Sequence, residues 1–264
     1  MSDFIIQAGP CCVENEKVPM EVAEKIVKVL EQYSGIKYIF KSSFKKANRT
    51  RGDSFIGLEF DEAMRILQKV RETYQVPIIT DVHETTDVKM VEPYVDYLQI
   101  PAFLCRQTDL VIEAAKSKPV SIKKGQFLSP QNMKHIVEKA RSVGQEEVYV
   151  CERGTCFGYD TLVVDYSAFP LMRSYAKLIF DGTHSLQKQS AVGVTGGQRD
   201  LIPYMCLAAI SVGIDGLFLE VHSDIDNAQS DKESQLEVDN FEEVIDSCLE
   251  ILETRKRRLG GFNV

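Results

Sequence analysis

Cationic side chains gather directly after an apolar segment near residue 40. Residues 38–40 are aromatic or β-branched, and residues 41–51 then carry five lysines or arginines together with several hydroxyl groups. Guanidinium groups bind phosphate or carboxylate through paired hydrogen bonds, and ammonium groups add a compact charge. Further cations close two later apolar segments, so the pattern predicts a site for two phosphorylated ligands, or for one that also carries a carboxylate. The cationic group comprises Lys41, Lys46, Arg49, Lys123 and Arg153.

A thiol, an imidazole and carboxylates occupy comparable positions elsewhere in the chain. Three of them lie at or just after the end of an apolar segment, and the fourth lies in a later polar loop; they are Cys11, His184, Glu220 and Asp231. This combination suits Zn²⁺, Fe²⁺ or Mn²⁺ rather than Ca²⁺. No short spacing motif joins these residues, and His83 and His222 occupy similar positions. The pattern alone therefore leaves the ligand set open.

Eight apolar segments alternate with helical patterns, and these elements must position the candidate residues. The segments are residues 4–9, 38–41, 77–83, 97–100, 120–125, 148–154, 178–184 and 216–222. The alternation predicts an α/β fold, a single (β/α)₈ barrel that forms one domain over residues 1–264. A doubly wound open sheet is the alternative, but no glycine-rich dinucleotide-binding motif follows the first segment. Barrel active sites form at the carboxyl ends of the strands, where Ser43, Asp81 and Gln99 also lie.

Composition limits the partners and the compartment. The chain has 264 residues, 44% of them hydrophobic and 27% charged, with a net charge of −8. Its start does not resemble a signal peptide, and no apolar run is long enough to span a bilayer. Its seven cysteines lack the paired spacing of a disulfide framework. We therefore predict a cytoplasmic protein with small anionic substrates and with neither nucleic acid nor a membrane as a partner.

A series of motifs resembles the 3-deoxy-D-manno-octulosonate 8-phosphate (Kdo-8-phosphate) synthases, in order and over nearly the whole chain. The motifs are AGPC (8–11), FKSSFKKANR (40–49), TDVH (80–83), QIPAFLCRQTDL (99–110), KKGQFLSP (123–130), ERGTCFGY (152–159), FDGTHSLQ (180–187) and SDKESQL (230–236). The related DAHP synthases share the barrel and the AGPC-like start, but their loop normally reads KPRTS where this chain has KANRT. The motifs therefore favour the Kdo branch.

The resemblance implies condensation of phosphoenolpyruvate with D-arabinose 5-phosphate and release of inorganic phosphate, a step of Kdo biosynthesis for lipopolysaccharide. Three alternatives remain open. The first is a DAHP synthase-like condensation with erythrose 4-phosphate. The second is a metal-dependent aldolase of the lyase class, and the third is a barrel that binds phosphosugars without turnover.

The resemblance also implies roles for individual residues. Phosphoenolpyruvate would be held by Lys41, Ser43, Lys46, Lys123 and Arg153, and Gln99 joins the substrate-binding set. Asn48 and Asp81 would contact the sugar hydroxyls or the aldehyde, and Arg49 with Thr50 would bind the pentose phosphate. The candidate catalytic residues are Lys46, Asn48 and Asp81. Phe103 and Arg106 would reach into a neighbouring subunit's site, since the family is typically tetrameric.

The family divides into metal-dependent members and metal-independent members, which have Asn in place of the ligand Cys. Cys11 follows Gly9 and Pro10, so the chain is similar to the metal-dependent type. The implied ligand set is Cys11, His184, Glu220 and Asp231. Departures from the family pattern occur at Thr50, at residues 56–59 and at residues 187–197, and we expect them to affect loop closure or pentose preference.

Overall fold

The strands of the protein form a closed ring in the computed structural model, which describes residues 3–49, 52–159, 161–189 and 195–259. The ring consists of β1 (Phe4–Gly9), β2 (Ile36–Lys41), β3 (Ile78–Asp81), β4 (Tyr97–Ile100), β5 (Val120–Lys123), β6 (Val148–Glu152), β7 (Lys177–Asp181) and β8 (Gly216–His222). Each strand pairs in parallel with the next, and β8 pairs back to β1. A two-residue strand, Leu236–Glu237, lies beside the end of β8. The predicted (β/α)₈ barrel is confirmed, whereas its extent as one domain over residues 1–264 stays a prediction.

Helices between successive strands cover the outside of the ring. They are α1 (Lys17–Leu30), α2 (Phe60–Tyr74), α3 (Thr85–Val91), α4 (Thr108–Ser117), α5 (Met133–Arg141), α6 (Phe169–Arg173), α7 (Ile202–Val212) and α8 (Phe241–Leu259). Apolar residues recur every three or four positions, as Val22, Ile26 and Leu30 do in α1, and these side chains are buried in the main core. Among the described residues, no helix has both the length and the apolar character needed to cross a membrane.

Alternation along each strand decides which side chains enter the barrel. A second buried cluster takes one or two residues from seven of the strands: Ile5, Ile39, Ile79, Tyr97, Tyr149, Cys151, Ile179 and Phe218. Two positions beyond Ile39 the next inward residue is Lys41, and two positions beyond Phe218 it is Glu220. The barrel is therefore apolar at mid-height and ionisable at the carboxyl ends of its strands, which is where the candidate site lies.

Two connecting segments contain elements that the sequence pattern does not show. Residues 101–107 form a connection that includes a short 3₁₀ turn, so that α4 begins only at Thr108. Between β6 and β7 the chain adds a hairpin, Thr155–Phe157 paired with Thr161–Val163, and the five-residue helix α6. Elements this short carry too few residues to show a periodicity, which is why the sequence did not reveal them.

Candidate active site

Ser43 joins two buried ammonium groups to a buried carboxylate at the ends of β2 and β3. Its Oγ atom accepts hydrogen bonds from Lys41 Nζ at 3.0 Å and from Lys46 Nζ at 2.9 Å, and donates one to Asp81 Oδ2 at 2.7 Å. Asp81 Oδ1 lies 3.4 Å from Lys41 Nζ and accepts a hydrogen bond from the Gln99 side chain. Two cations share one carboxylate here, so the group retains an excess of positive charge for an anion.

The neighbouring charges determine the protonation states of Asp81 and Lys46. Burial alone would raise the pKa of Asp81, but the ammonium groups of Lys41 and Lys46 outweigh it and hold that pKa well below its ordinary value. Burial would likewise lower the pKa of Lys46, yet Cys11, Glu220 and Asp81 hold it well above its ordinary value. Asp81 is therefore an ionised acceptor and Lys46 a permanent cation at neutral pH.

Lys123 and Arg153 lie on the other side of the barrel mouth. Lys123, the last residue of β5, forms a short buried ion pair with Asp181 at the end of β7. The Lys123 ammonium also lies 3.1 Å from the ring centroid of Phe218, a favourable cation–π position. Arg153, just beyond β6, donates to the backbone carbonyl of His184 at 3.2 Å and to the side-chain oxygen of Gln187. Both predicted cations are buried. Lys41 Nζ lies 5.6 Å from the centroid of the same Phe218 ring, so Lys123 and Lys41 face the same mouth.

Arg49 lies at the edge of the site in the connection between β2 and α2. Its Nε atom donates to the backbone carbonyl of Phe55 at 2.9 Å, and its Nη1 atom lies 3.9 Å from Asp231 Oδ1. Its Nη2 atom is buried without a hydrogen-bond partner among the described residues. A buried guanidinium donor that lacks a partner is suited to an anion. Asn48 beside it is exposed, and Thr50 lies outside the described residues.

Phe103 and Arg106 do not join the buried group. Both are exposed on the connection between β4 and α4, where the Phe103 side chain is 54% exposed. Large apolar side chains on the neighbouring connections are exposed as well, namely Phe127, Phe157 and Tyr159. The sequence prediction gave Phe103 and Arg106 a role in a neighbouring subunit's site, and that role stays a prediction.

The four predicted metal ligands come together from β8 and from the connections that follow β1, β7 and β8. Cys11, Glu220 and Asp231 each place one ligand atom within 4.8 Å of the others. The Nε2 atom of His184 lies 3.5 Å from Glu220 Oε1 and 3.9 Å from Asp231 Oδ2. The Cys11 thiol lies 3.6 Å from Asp231 Oδ2 and 2.9 Å from the hydroxyl of Ser230. Residues more than 200 positions apart in sequence thus form one compact group.

Glu220 shows that this group fits a cation. Its side chain is 1% exposed, and neither carboxylate oxygen has a hydrogen-bond partner in the described part of the chain. A buried carboxylate without donors is costly unless a cation compensates it. Burial, reinforced by the charge of Glu220, raises the pKa of Cys11 well above its ordinary value. A ligating thiol must lose its proton, so an ion bound here would displace the proton of Cys11. The donor set of thiol, imidazole and carboxylates is the kind that binds a divalent ion.

The two other histidines that the sequence offered as ligands, His222 and His83, contact different carboxylates. The Nε2 atom of His222 lies 3.1 Å from Glu14 Oε1, and its Nδ1 atom accepts the backbone N–H of Asp224 at 2.9 Å. The Nδ1 atom of His83 lies 3.6 Å from Asp87 Oδ2. By contrast, His184 bonds through Nδ1 to Asp181 Oδ1 at 3.1 Å, which leaves Nε2 facing the carboxylates. The geometry therefore favours His184 as the imidazole ligand.

Sequence reasoning did not single out three residues that complete the site. Asp181 and Gln187 lie inside the FDGTHSLQ motif without an assigned role, and Gln187 Nε2 donates to Asp231 Oδ2 at 3.3 Å. Phe218 precedes Glu220 by two positions in β8. The alternation of β8 therefore carried a usable signal, because it places the Phe218 ring directly below the Glu220 carboxylate.

Comparison with known proteins identifies the family of this chain. Residues 2–256 match the model of the DAHP synthetase I family. A 2-dehydro-3-deoxyphosphooctonate aldolase from Koribacter versatilis (strain Ellin345) is 48% identical over 255 residues, 95% of this chain and 91% of the relative. A protein with the same name from Francisella tularensis subsp. holarctica (strain LVS) is 48% identical over 86% of this chain and 84% of its own length. Another, from Nitrosococcus oceani (strain ATCC 19707 / BCRC 17464 / JCM 30415 / NCIMB 11848 / C-107), is 44% identical over 96% of this chain and 91% of its own length. The chain belongs to the DAHP synthetase I family and, within it, is similar to the Kdo-8-phosphate synthases.

Proposed function

We propose that this protein condenses phosphoenolpyruvate with D-arabinose 5-phosphate to give 3-deoxy-D-manno-octulosonate 8-phosphate and inorganic phosphate. The name of the relatives describes an aldol reaction at a phosphorylated 2-keto-3-deoxy acid of eight carbons, which is this product. The observation that carries the proposal is the convergence of four buried cations on one barrel mouth. Phosphoenolpyruvate bears both a phosphate and a carboxylate, so it complements that excess of positive charge.

The two substrates are assigned to different residues of the mouth. Lys41, Ser43, Lys46, Lys123 and Arg153 would hold phosphoenolpyruvate, with Gln99 supporting them through Asp81. The unpartnered buried donor of Arg49 supports a role in binding the pentose phosphate, together with Thr50. Asn48 and Asp81 would contact the sugar hydroxyls or the aldehyde. This arrangement would bring the two reacting carbons together and reduce the entropic cost of their encounter.

The reaction forms one carbon–carbon bond and exchanges the phosphate oxygen at carbon 2 for the oxygen of water. Carbon 3 of phosphoenolpyruvate attacks the aldehyde carbon of the pentose, whose oxygen gains a proton. Water adds to carbon 2, and one of its protons balances the proton gained by the pentose oxygen. The bond from carbon 2 to the phosphate oxygen then breaks, and the new hydroxyl group becomes the ketone as its proton leaves with the phosphate. Lys46 stays protonated because its pKa is raised, so it stabilises developing negative charge through a hydrogen bond from Nζ rather than acting as a base. Asp81 stays ionised, so it orients Ser43 and the sugar without donating a proton.

We also propose a divalent metal ion, Zn²⁺, Fe²⁺ or Mn²⁺, at Cys11, His184, Glu220 and Asp231. The buried carboxylate of Glu220, which lacks hydrogen-bond donors, supports this assignment. When bound, such an ion supplies Lewis acidity beside the reacting carbonyl. The chain's own groups keep the site ready for it, since Asp181 holds the His184 ring with Nε2 toward the carboxylates.

We further propose that the barrel is one catalytic domain of a cytoplasmic homotetramer, with its sites near subunit interfaces. Exposed aromatic side chains on adjacent connections support an interface, since such patches are uncommon on surfaces that remain in water. The cysteines of the described residues are all free, which suits a reducing compartment. Light scattering tests the assembly, and the expected mass is four times the 29.8 kDa of one chain.

Phosphate release with different aldose phosphates tests the reaction. We expect kcat/KM for arabinose 5-phosphate to exceed that for erythrose 4-phosphate by at least about 10-fold. The reverse preference would indicate a DAHP synthase. Cleavage of the eight-carbon product to pyruvate, without uptake or release of inorganic phosphate, would indicate a lyase. Stabilisation by both ligands without any turnover would indicate a binding protein.

A further inference from the structure

Asp181 lies between two side chains with separate proposed tasks. It is completely buried at the end of β7. Its Oδ2 atom pairs with the Lys123 ammonium and lies 2.9 Å from His184 Nδ1. Its Oδ1 atom accepts the backbone N–H groups of Thr183 at 3.1 Å and His184 at 2.8 Å, and also bonds His184 Nδ1 at 3.1 Å. One carboxylate is therefore shared between a candidate substrate-binding lysine and a candidate metal-binding histidine.

The Lys123 ammonium is confined between an aromatic ring and the Asp181 carboxylate. Its side chain is buried, with the Phe218 ring 3.1 Å from its ammonium on one side and Asp181 on the other. The strength with which Asp181 holds the ammonium thus determines how much of that positive charge a substrate anion experiences.

We propose that Asp181 is a positioning residue that couples metal binding at His184 to phosphoenolpyruvate binding at Lys123. This inference rests on the proposed function of both side chains. A cation at His184 Nε2 makes the Nδ1–H group a stronger donor, which draws charge from the Asp181 carboxylate and loosens its hold on Lys123. An anion at Lys123 leaves more carboxylate charge for the imidazole. Both effects have the same sign, as reciprocity requires, so each ligand strengthens the binding of the other.

The variant Asp181→Asn breaks this link at Oδ2, the oxygen that Lys123 and His184 both approach. The two backbone N–H groups of Thr183 and His184 point at the Oδ1 position, so they fix the amide oxygen there. The amide nitrogen then occupies the Oδ2 position and faces the Lys123 ammonium, donor against donor. His184 Nδ1 keeps the amide oxygen as an acceptor at the Oδ1 position, whereas Lys123 loses its carboxylate partner, and the side-chain volume hardly changes.

Calorimetric titration of phosphoenolpyruvate into metal-free and Mn²⁺-loaded protein measures the coupling. We expect Mn²⁺ to tighten binding by about 10-fold in the wild type. In Asp181→Asn the factor should fall to about 2-fold, the part left to direct attraction between the ion and the anion. The matched control is Asp215→Asn: this carboxylate pairs with Arg173 at 2.8 Å and accepts the backbone N–H of Leu178 at 2.9 Å, at the opposite end of β7. It should keep the wild-type factor.

An unchanged factor in Asp181→Asn would overturn the coupling while leaving the proposed function intact. A wild type that binds neither Mn²⁺ nor phosphoenolpyruvate would overturn both. If Asp181→Asn does not fold, two lysine variants decide the question in competition with a chromogenic chelator. Lys123→Met removes the ammonium that shares Asp181 with the His184 ring. Lys41→Met removes the same charge beside Asp81, which does not contact His184. We expect Lys123→Met to bind Mn²⁺ several-fold more tightly than Lys41→Met, and equal affinities would refute the link.

Discussion

The Nζ atom of Lys46 lies 3.8 Å from the Oε1 atom of Glu220, so the cationic half of the site meets the metal-binding half at this pair. The same ammonium donates to the Ser43 hydroxyl at 2.9 Å. An anion held by Lys46 and Ser43 therefore lies next to the group formed by Cys11, Glu220 and Asp231. This border is where the proposed condensation would take place.

Replacing Cys11 should remove the metal ion. We expect Cys11→Ala to lower the metal content from about one ion per chain to less than about a tenth, because three ligands with an uncompensated pair of carboxylates hold the ion weakly. Metal analysis after gel filtration measures this. Cys12→Ala is the matched control, since the adjacent buried thiol makes only a weak contact with the Val13 carbonyl at 3.9 Å. Full metal content in Cys11→Ala would contradict the ligand assignment.

Arg49 should affect the pentose phosphate more than phosphoenolpyruvate. Lysine cannot reproduce the paired guanidinium donors, and a lost charged hydrogen bond costs about 1.5–3 kcal/mol. We therefore expect Arg49→Lys to raise the KM for arabinose 5-phosphate by at least about 10-fold and to change the KM for phosphoenolpyruvate little. Arg65→Lys, on the exposed face of α2, is the control. A rise confined to the KM for phosphoenolpyruvate would reverse the assignment.

The location of the site could be predicted from the sequence better than its internal connections. The limits of β1 and β8 agree with the apolar segments 4–9 and 216–222, because uninterrupted apolar runs define buried parallel strands. The polar residues that end these runs then had to meet at one edge of the sheet.

The contacts across the barrel could not be predicted in this way. Asp181 matters because Lys123 reaches it from a strand that is not its neighbour, and no periodicity records such a contact. The choice between His184 and His222 likewise depended on Glu14, a residue more than 200 positions from His222 that holds its ring. Partners that are distant in sequence decide both points.

Asp81 should make stability depend on pH in the acidic range. Its pKa is lowered in the folded protein, whereas the unfolded chain keeps the ordinary value of 3.8. Above about pH 5 both states are ionised and the stabilisation is complete; as the pH falls further, the unfolded state binds a proton first and stability is lost. We expect a loss of about 1 kcal/mol in the free energy of unfolding between pH 6 and pH 3, measured by urea denaturation.

The matched variants identify the source of this pH dependence. Asp81→Asn should flatten the acidic slope, because the titrating group is gone. Asp109→Asn removes an exposed carboxyl group from the first turn of α4 and should leave the slope unchanged. Equal slopes in the wild type and Asp81→Asn would show that other carboxylates dominate.

Gly9 should tolerate no side chain. A Cβ atom at this position would lie 2.2 Å from the backbone oxygen of Lys41, so the ends of β1 and β2 would have to separate. We expect Gly9→Ala to lower the free energy of unfolding by about 1–3 kcal/mol and to weaken metal binding at Cys11, two positions away. Gly52→Ala, where a Cβ meets open space, should change stability by less than about 0.5 kcal/mol. A Gly9→Ala variant as stable as the wild type would show that this close approach is not required.

Phosphate release from phosphoenolpyruvate and arabinose 5-phosphate, followed in one preparation through metal removal and return, tests the proposed condensation and its metal site together. We expect rapid release at first, a fall of about two orders of magnitude after chelation, and recovery when Mn²⁺, Fe²⁺ or Zn²⁺ is added. An undiminished rate in metal-free protein would contradict the metal site. No release at any stage would contradict the condensation itself.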